Sequence, residues 1–208
     1  MSHVIDAKID GNSRVFFVKG DRTAIVDTGG PGNERNILRA LKSAGIPREQ
    51  VSVIVITHAH WDHCGSTNAL KAALDVPVMA GWPDSEFLEK GENSPGMDLS
   101  ATTRAPGPGF DAIKADVIVR SDTSLLDHGI DAYAITTPGH TGGSLSVLAS
   151  NGDCATGDFL ASLYTGAPET IGQGLKKLAD GGVKRFYPSH TGSIEASAVL
   201  RMFYSSEK

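Results

Sequence analysis

Two periodicities alternate along the chain, and their order predicts its layout. Val4 to Ile9, Arg14 to Val18 and Thr23 to Val26 are short apolar runs separated by Asp10-Gly11-Asn12 and Gly20-Asp21, which predicts a meander of three strands. From Asn33, a residue suited to capping, Ile37, Leu38, Leu41 and Ala44 recur at helical spacing until Gly45 and Pro47 stop the run. Val51 to Thr57 is almost unbroken aliphatic sequence, the mark of a strand covered on both faces. Asn68 to Leu74 predicts a short helix, and Val76 to Ala80 another strand.

The second half repeats the alternation. Asp116 to Arg120, Ile130 to Thr136, Ser144 to Ala149 and Cys154 to Thr156 read as strands, with Asn151-Gly152-Asp153 as a hairpin turn. Pro168 opens a helix that carries Ile171, Leu175 and Leu178 near one face and ends at Gly181-Gly182. Val183 to Tyr187 is then a strand, and Ile194 to Tyr204 a final helix. Between the halves, Gly91 to Asp111 has no period and is rich in glycine and proline, so 91–111 is expected to be an irregular loop. With Ser85 to Lys90 before it, this loop is a candidate lid or contact element. Hairpins mixed with crossover helices predict an α+β arrangement of sheets covered by helices.

Composition narrows the function classes. A chain of 208 residues fits one domain, 1–208, and should bury about 70% of its unfolded surface, enough for a core without metal or disulfide staples. Any metal is therefore expected to serve chemistry. A formal charge of -5 argues against nucleic acid as a partner. Cys64 and Cys154 cannot form a disulfide framework or a cysteine-rich zinc module. The N-terminal residues lack a basic start followed by an apolar stretch, and no run is long enough to span a membrane, so cytoplasmic residence is expected.

The chemistry concentrates at predicted strand ends. His58-Ala59-His60-Trp61-Asp62-His63 places three histidines and a carboxylate directly after the buried strand. In an extended segment alternate side chains point the same way, so His58 and His60 can aim at one ion, while Asp62 and His63, beyond a turn, suit a second. Nitrogen and oxygen donors of this kind suit zinc and, less selectively, iron, manganese or cobalt. A catalytic zinc usually takes three protein ligands, and His140 in Pro138-Gly139-His140-Thr141-Gly142-Gly143 is a candidate third. Gly157-Asp158 and Ser189-His190-Thr191-Gly192 end two further strands with a potential ligand, whereas His3 and His128 fall outside the set.

These segments, together with Val26-Asp27-Thr28-Gly29, resemble the metallo-beta-lactamase fold superfamily in identity and order over about 165 residues. The resemblance implies a four-layer αβ/βα sandwich of two mixed sheets with helices on the outer faces. It implies two divalent metal ions, zinc foremost, with iron or manganese as substitutes. His58, His60 and His140 would hold the first ion, and Asp62, His63 and His190 the second, with Asp158 bridging both. Asp27, which alone reads as a turn residue, gains a supporting role beneath the metals. The activity implied is hydrolysis of a small ester-like substrate, a thioester or a lactone, by a metal-bound hydroxide. Asp62 would be the catalytic residue that orients it and carries a proton.

Departures from relatives limit the substrate. Glyoxalase II-like enzymes carry a helical C-terminal domain, yet 18 residues follow His190 here. The first motif ends His63-Cys64-Gly65-Ser66 instead of His-x-Gly-Gly, and Gly142-Gly143-Ser144 is closer to the lactamase type. A secreted beta-lactamase is disfavoured by the missing export signal and by Asp158. The alternatives are a persulfide dioxygenase-like oxidoreductase with one iron, a beta-lactam or small phosphodiester hydrolase, and a catalytically silent binding module. The expected partner is a small-molecule substrate, with no membrane and with a homodimer left open. Trp61 could wall the metals or pack on a helix, Tyr164 could rim the pocket or face solvent, and Cys64 reads as a buried spacer.

Overall fold

The computed structural model describes residues 1–9, 11, 13–97 and 108–205. The first half builds one sheet from β1 (His3–Asp6), β2 (Phe16–Lys19), β3 (Thr23–Val26), β4 (Val51–Ile56), β5 (Val78–Gly81) and β6 (Val117–Val119), hydrogen-bonded in that order. β1 to β3 are antiparallel and β3 to β6 parallel. Parallel neighbours need crossovers. These contain α1 (Glu34–Ser43), the single turn α2 (Trp61–Cys64), α3 (Thr67–Leu74) and α4 (Asp84–Lys90).

The second half builds the other sheet from β7 (Thr123–Ser124), β8 (Ala132–Thr136), β9 (Leu145–Ala149), β10 (Asp153–Gly157), β11 (Arg185–Pro188) and β12 (Ile194–Glu195), again in sequence order. Only β10 and β11 pair in parallel, joined through α5 (Pro168–Asp180), and α6 (Ala196–Ser205) follows β12. Both sheets are mixed.

Side-chain alternation explains the layering. On β4, Ile54 and Ile56 face Ile37 and Leu41 of α1 and Leu70 of α3, while Val53 and Val55 face the other way. There they join Phe16, Val26 and Met79 against Ala134, Leu145, Val147 and Ala155 of the second sheet. On that sheet's outer face Leu148, Cys154 and Phe186 pack on Ile171, Leu175 and Leu178 of α5 and on Val199 of α6. The order is helix, sheet, sheet, helix, as expected from the sequence. Cys64 and Cys154 are both fully buried, and burial pushes both thiols up.

Several boundaries differ from expectation. The strand predicted over Val4 to Ile9 stops at Asp6, because Lys8 has φ 50° and its N–H turns back to Asp6 Oδ1 at 2.9 Å. The link to β2 is therefore longer than the predicted Asp10-Gly11-Asn12 turn, of which Asp10 and Asn12 lie outside the described residues. The final helix begins two residues later than predicted, since Ile194 and Glu195 pair first with Phe186 and Arg185. α4 and β7 had no sequence assignment. Within the predicted 91–111 loop, 98–107 lie outside the described residues.

The two halves approach closely beyond β5. Thr57 O accepts from Leu145 N at 2.8 Å, and a β-carbon on Gly81 would stand 2.1 Å from the Gly143 carbonyl oxygen. Gly81→Ala should therefore force backbone apart and destabilise by about 1–3 kcal/mol. Urea unfolding checks this against Gly192→Ala, where an added methyl meets nothing within 4 Å and the midpoint should hold.

Candidate metal centre

The site starts from a buried carboxylate at the end of β3. Asp27 has φ 62°, a left-handed conformation that Asp adopts more readily than most residues. Its Oδ1 accepts from Thr57 N, and its Oδ2 accepts from Thr57 Oγ1 and from His63 Nδ1, all at 2.8 Å. These bonds fix two imidazoles. Thr57 Oγ1 gives its single proton to the carboxylate, so at 3.1 Å it accepts from His58 Nδ1. The Nε2 lone pairs of His58 and His63 are thus presented to the interior, and both atoms are buried without a hydrogen-bond partner.

His60 is turned the opposite way. Its Nε2–H donates to Ser94 O at 3.0 Å, which leaves Nδ1 facing His140 Nε2 at 3.1 Å. The loop after α4 therefore belongs to the site. Ser94 N donates to Ala59 O, Met97 N donates to His140 O, and Trp61 N donates to Asn93 Oδ1. The described part of the expected lid is fastened onto the histidine segments. α2 begins one residue after His60, which redirects Asp62 and His63 as the sequence implied.

Asp158 arrives from β10. Gly157 has φ 53°, and a β-carbon there would fall 2.5 Å from Thr57 Oγ1, so only glycine lets the two strand ends lie together. The Asp158 carboxylate then divides between two groups. Oδ2 lies 3.4 Å from His140 Nε2 and 4.0 Å from His58 Nε2, while Oδ1 lies 3.3 Å from His190 Nε2 and 3.6 Å from His63 Nε2. Asp62 Oδ2 completes the second group, 3.7 Å from His63 Nε2 and 3.6 Å from His190 Nε2. All seven residues singled out in the sequence meet here. His58, His60 and His140 form one trio with ligand atoms within 4.8 Å of one another, and Asp62, His63 and His190 another. Buried imidazole nitrogens with nothing to bond, aimed at shared carboxylates, fit divalent cations.

Charge states follow from the same geometry. Burial, reinforced by neighbouring His63 and His140, holds His58 well below the ordinary histidine value. Burial also opposes charge on His63, but Asp27 and Asp158 outweigh it and hold that imidazole well above the ordinary value. Asp158 is likewise opposed by burial, yet the imidazoles of His190 and His63, 3.3 and 3.6 Å from its Oδ1, hold its carboxyl far below the usual range. The hydrogen bond to Asp158 raises His190.

Sequence reasoning missed Asp84. This buried carboxylate accepts from Ala59 N and Thr141 Oγ1 on Oδ2 and from Gly143 N on Oδ1, each at 2.8 Å. It ties the His58/His60 loop to the His140 loop. Burial pushes its carboxyl up, partly offset by those donors. Its position at the start of an unassigned seven-residue helix, with partners 25 to 59 residues away, left no local signal. Trp61 packs over Gly30 and the helix-side core, and Tyr164, though 80% exposed, lines the rim of a cavity beside Asp158 and His190.

The sequence profile described as the metallo-beta-lactamase superfamily matches residues 9–198. The chain belongs to that superfamily. It is 28% identical over 158 residues to a probable metallo-hydrolase of Bacillus subtilis, covering 76% of this chain and 70% of the relative. It is 31% identical over 160 residues to a hydroxyacylglutathione hydrolase of Alkalilimnicola ehrlichii, covering 75% of this chain and 51% of the relative. The chain thus spans only about half the length of some curated relatives that it matches. Among solved structures, a subclass B3 metallo-beta-lactamase of Bradyrhizobium japonicum superposes with a TM-score of 0.65 at 21% identity, covering 91% of this chain and 75% of that one. Membership of the superfamily confirms the fold expected from the motifs, and both curated relatives are named as hydrolases.

Within this superfamily member, Asp84 is the residue whose loss should loosen both histidine loops. Asp84→Asn keeps one acceptor and strands buried N–H or O–H donors, so affinity for a divalent cation should fall about 10–100-fold. Competition with a chromophoric chelator measures that shift, and unchanged affinity would show that the loops hold themselves.

Proposed function

We propose that this chain hydrolyses a small ester-like substrate, a thioester or a lactone, with two divalent cations side by side. His58 Nε2, His60 Nδ1 and His140 Nε2 would hold one, and Asp62, His63 Nε2 and His190 Nε2 the other, with Asp158 shared. The observation that supports this reading most is the Asp158 carboxylate, whose two oxygens face the two trios separately. Neutral imidazoles with carboxylates suit zinc, and iron or manganese accepts the same donors. Such cations act as Lewis acids on a carbonyl and lower the pKa of water from 15.7 toward about 7.

The protein's own groups supply orientation and proton traffic. Water oxygen adds to the acyl carbon, the carbon–sulfur or carbon–oxygen bond breaks, and the leaving atom gains a proton. Asp62 is suited to that transfer, with a side chain 17% exposed at the mouth and flanked by His63 and His190. It holds the proton of the attacking water and delivers it to the leaving sulfur or oxygen. Asp27 and Thr57 meanwhile keep the tautomers of His58 and His63 fixed, so neither ring consumes its inward lone pair. A hydroxyacylglutathione hydrolase among the relatives agrees with thioester chemistry, without naming this chain's acyl or leaving group.

Metal analysis of the purified chain should find about two zinc-type ions per molecule, lost together with esterase activity in a chelator and restored by zinc. His140→Ala and Asp158→Ala should each lower metal content and rate. One iron with persulfide-dependent oxygen uptake would replace the hydrolase reading. In metal-loaded protein, Asp62→Asn should lower kcat/KM about 10²–10⁴-fold on a thioester whose leaving thiol is poor. The deficit should shrink with an activated leaving group that needs no proton. An equal loss on both substrates would remove Asp62 from proton transfer.

A further inference from the structure

Beside the candidate centre lies a cavity of about 430 Å³ whose inner wall is Gly157, Asp158 and His190. This volume falls within the roughly 300–1,000 Å³ typical of small-ligand pockets. Beyond that polar end its character changes. Leu160 and Leu163, from the short 3-10 turn that follows Asp158, form one side, and α6 forms the other. Ala198 and Met202, four residues apart, share the face of α6 that borders the cavity, beside Val199. Met202, 48% exposed, lies at the solvent side of this lining. No lysine or arginine is among the described lining residues.

We infer that this cavity receives an unbranched aliphatic acyl chain, so that the substrates are esters or thioesters of medium-length alkanoic acids. The inference rests on the hydrolase reading of the neighbouring centre. Continuity decides the orientation: a carbonyl at Asp158 and His190 places the adjoining methylenes directly between Leu160 and α6. Along the apolar part of the cavity the described lining residues include no lysine or arginine to pair with an anion, so an uncharged chain fits there. The alkyl part of an acyl group is the portion of an ester that asks nothing polar of its surroundings. The leaving group stays on the solvent side.

The test uses the full zinc-loaded chain and a series of acetyl, butanoyl, hexanoyl and octanoyl esters with one constant leaving group. Burial of each methylene is worth about 0.8 kcal/mol, so kcat/KM should rise about fourfold per methylene until the chain reaches Met202. Ala198→Trp sits on an exposed helix position and projects a ring into the cavity, so it should reduce the octanoyl-to-acetyl ratio at least tenfold. Octanoate binding, followed by titration calorimetry on the same protein, gives a readout independent of turnover. It should saturate in the parent chain and weaken at least tenfold in Ala198→Trp. Acetyl ester turnover with a flat chain-length profile and no octanoate binding would overturn the acyl pocket while the hydrolase reading stands. Octanoate binding that Ala198→Trp abolishes, without turnover of any ester, would uphold the pocket as a binding site and overturn the hydrolysis. A profile that rises equally in parent and Ala198→Trp would place the chain elsewhere and overturn the inference.

Discussion

One carboxylate, Asp158, stands among four imidazole nitrogens at 3.3 to 4.0 Å, and the molecule is arranged around that congestion. Positive charges 4 Å apart at an effective dielectric of 20 repel by about 4 kcal/mol, so several protonated imidazoles cannot share this space without anions between them. Asp158, Asp62 and Asp27 supply those anions. Each comes from a different part of the chain, and the geometry holds only if β3, β4 and β10 end at the same place. Gly157 and the Thr57 hydroxyl make that convergence sterically and chemically tolerable.

Much of this was legible before the structure. The nearly unbroken aliphatic run of β4 announced a strand buried on both faces, and Ile37 and Leu41 announced the stripe that covers one of them. The histidine string was legible because four side chains with metal affinity lay within six residues, and the remaining candidate ligands because each followed a predicted strand. What stayed hidden depended on contacts made only after folding. β7 and β12 have two residues each, too few to show a period, and exist because neighbours pair with them. The reversal of His60 relative to His58 comes from the Ser94 carbonyl, and nothing in either local sequence encodes it. Asp84 is the same case: an acidic first-turn residue by pattern, a clamp between two loops by partners.

The division of labour between layers has a functional side. Packing between the sheets is almost wholly aliphatic and leaves polar groups to the rim where strand ends and loops meet. α5 and α6 close the outer face of the second sheet, and α6 alone continues past the core to border the cavity. Substrate preference can therefore drift through exposed positions of α6 without disturbing the residues that secure the histidines.

The two sulfhydryls bear on how turnover can be watched. Both are fully buried and carry their protons more tightly than a free thiol, so neither offers a nucleophilic thiolate to a disulfide reagent in the folded state. Colour developed by such a reagent during thioester cleavage comes from the liberated thiol alone, and a slow background rise would instead register the folded population opening.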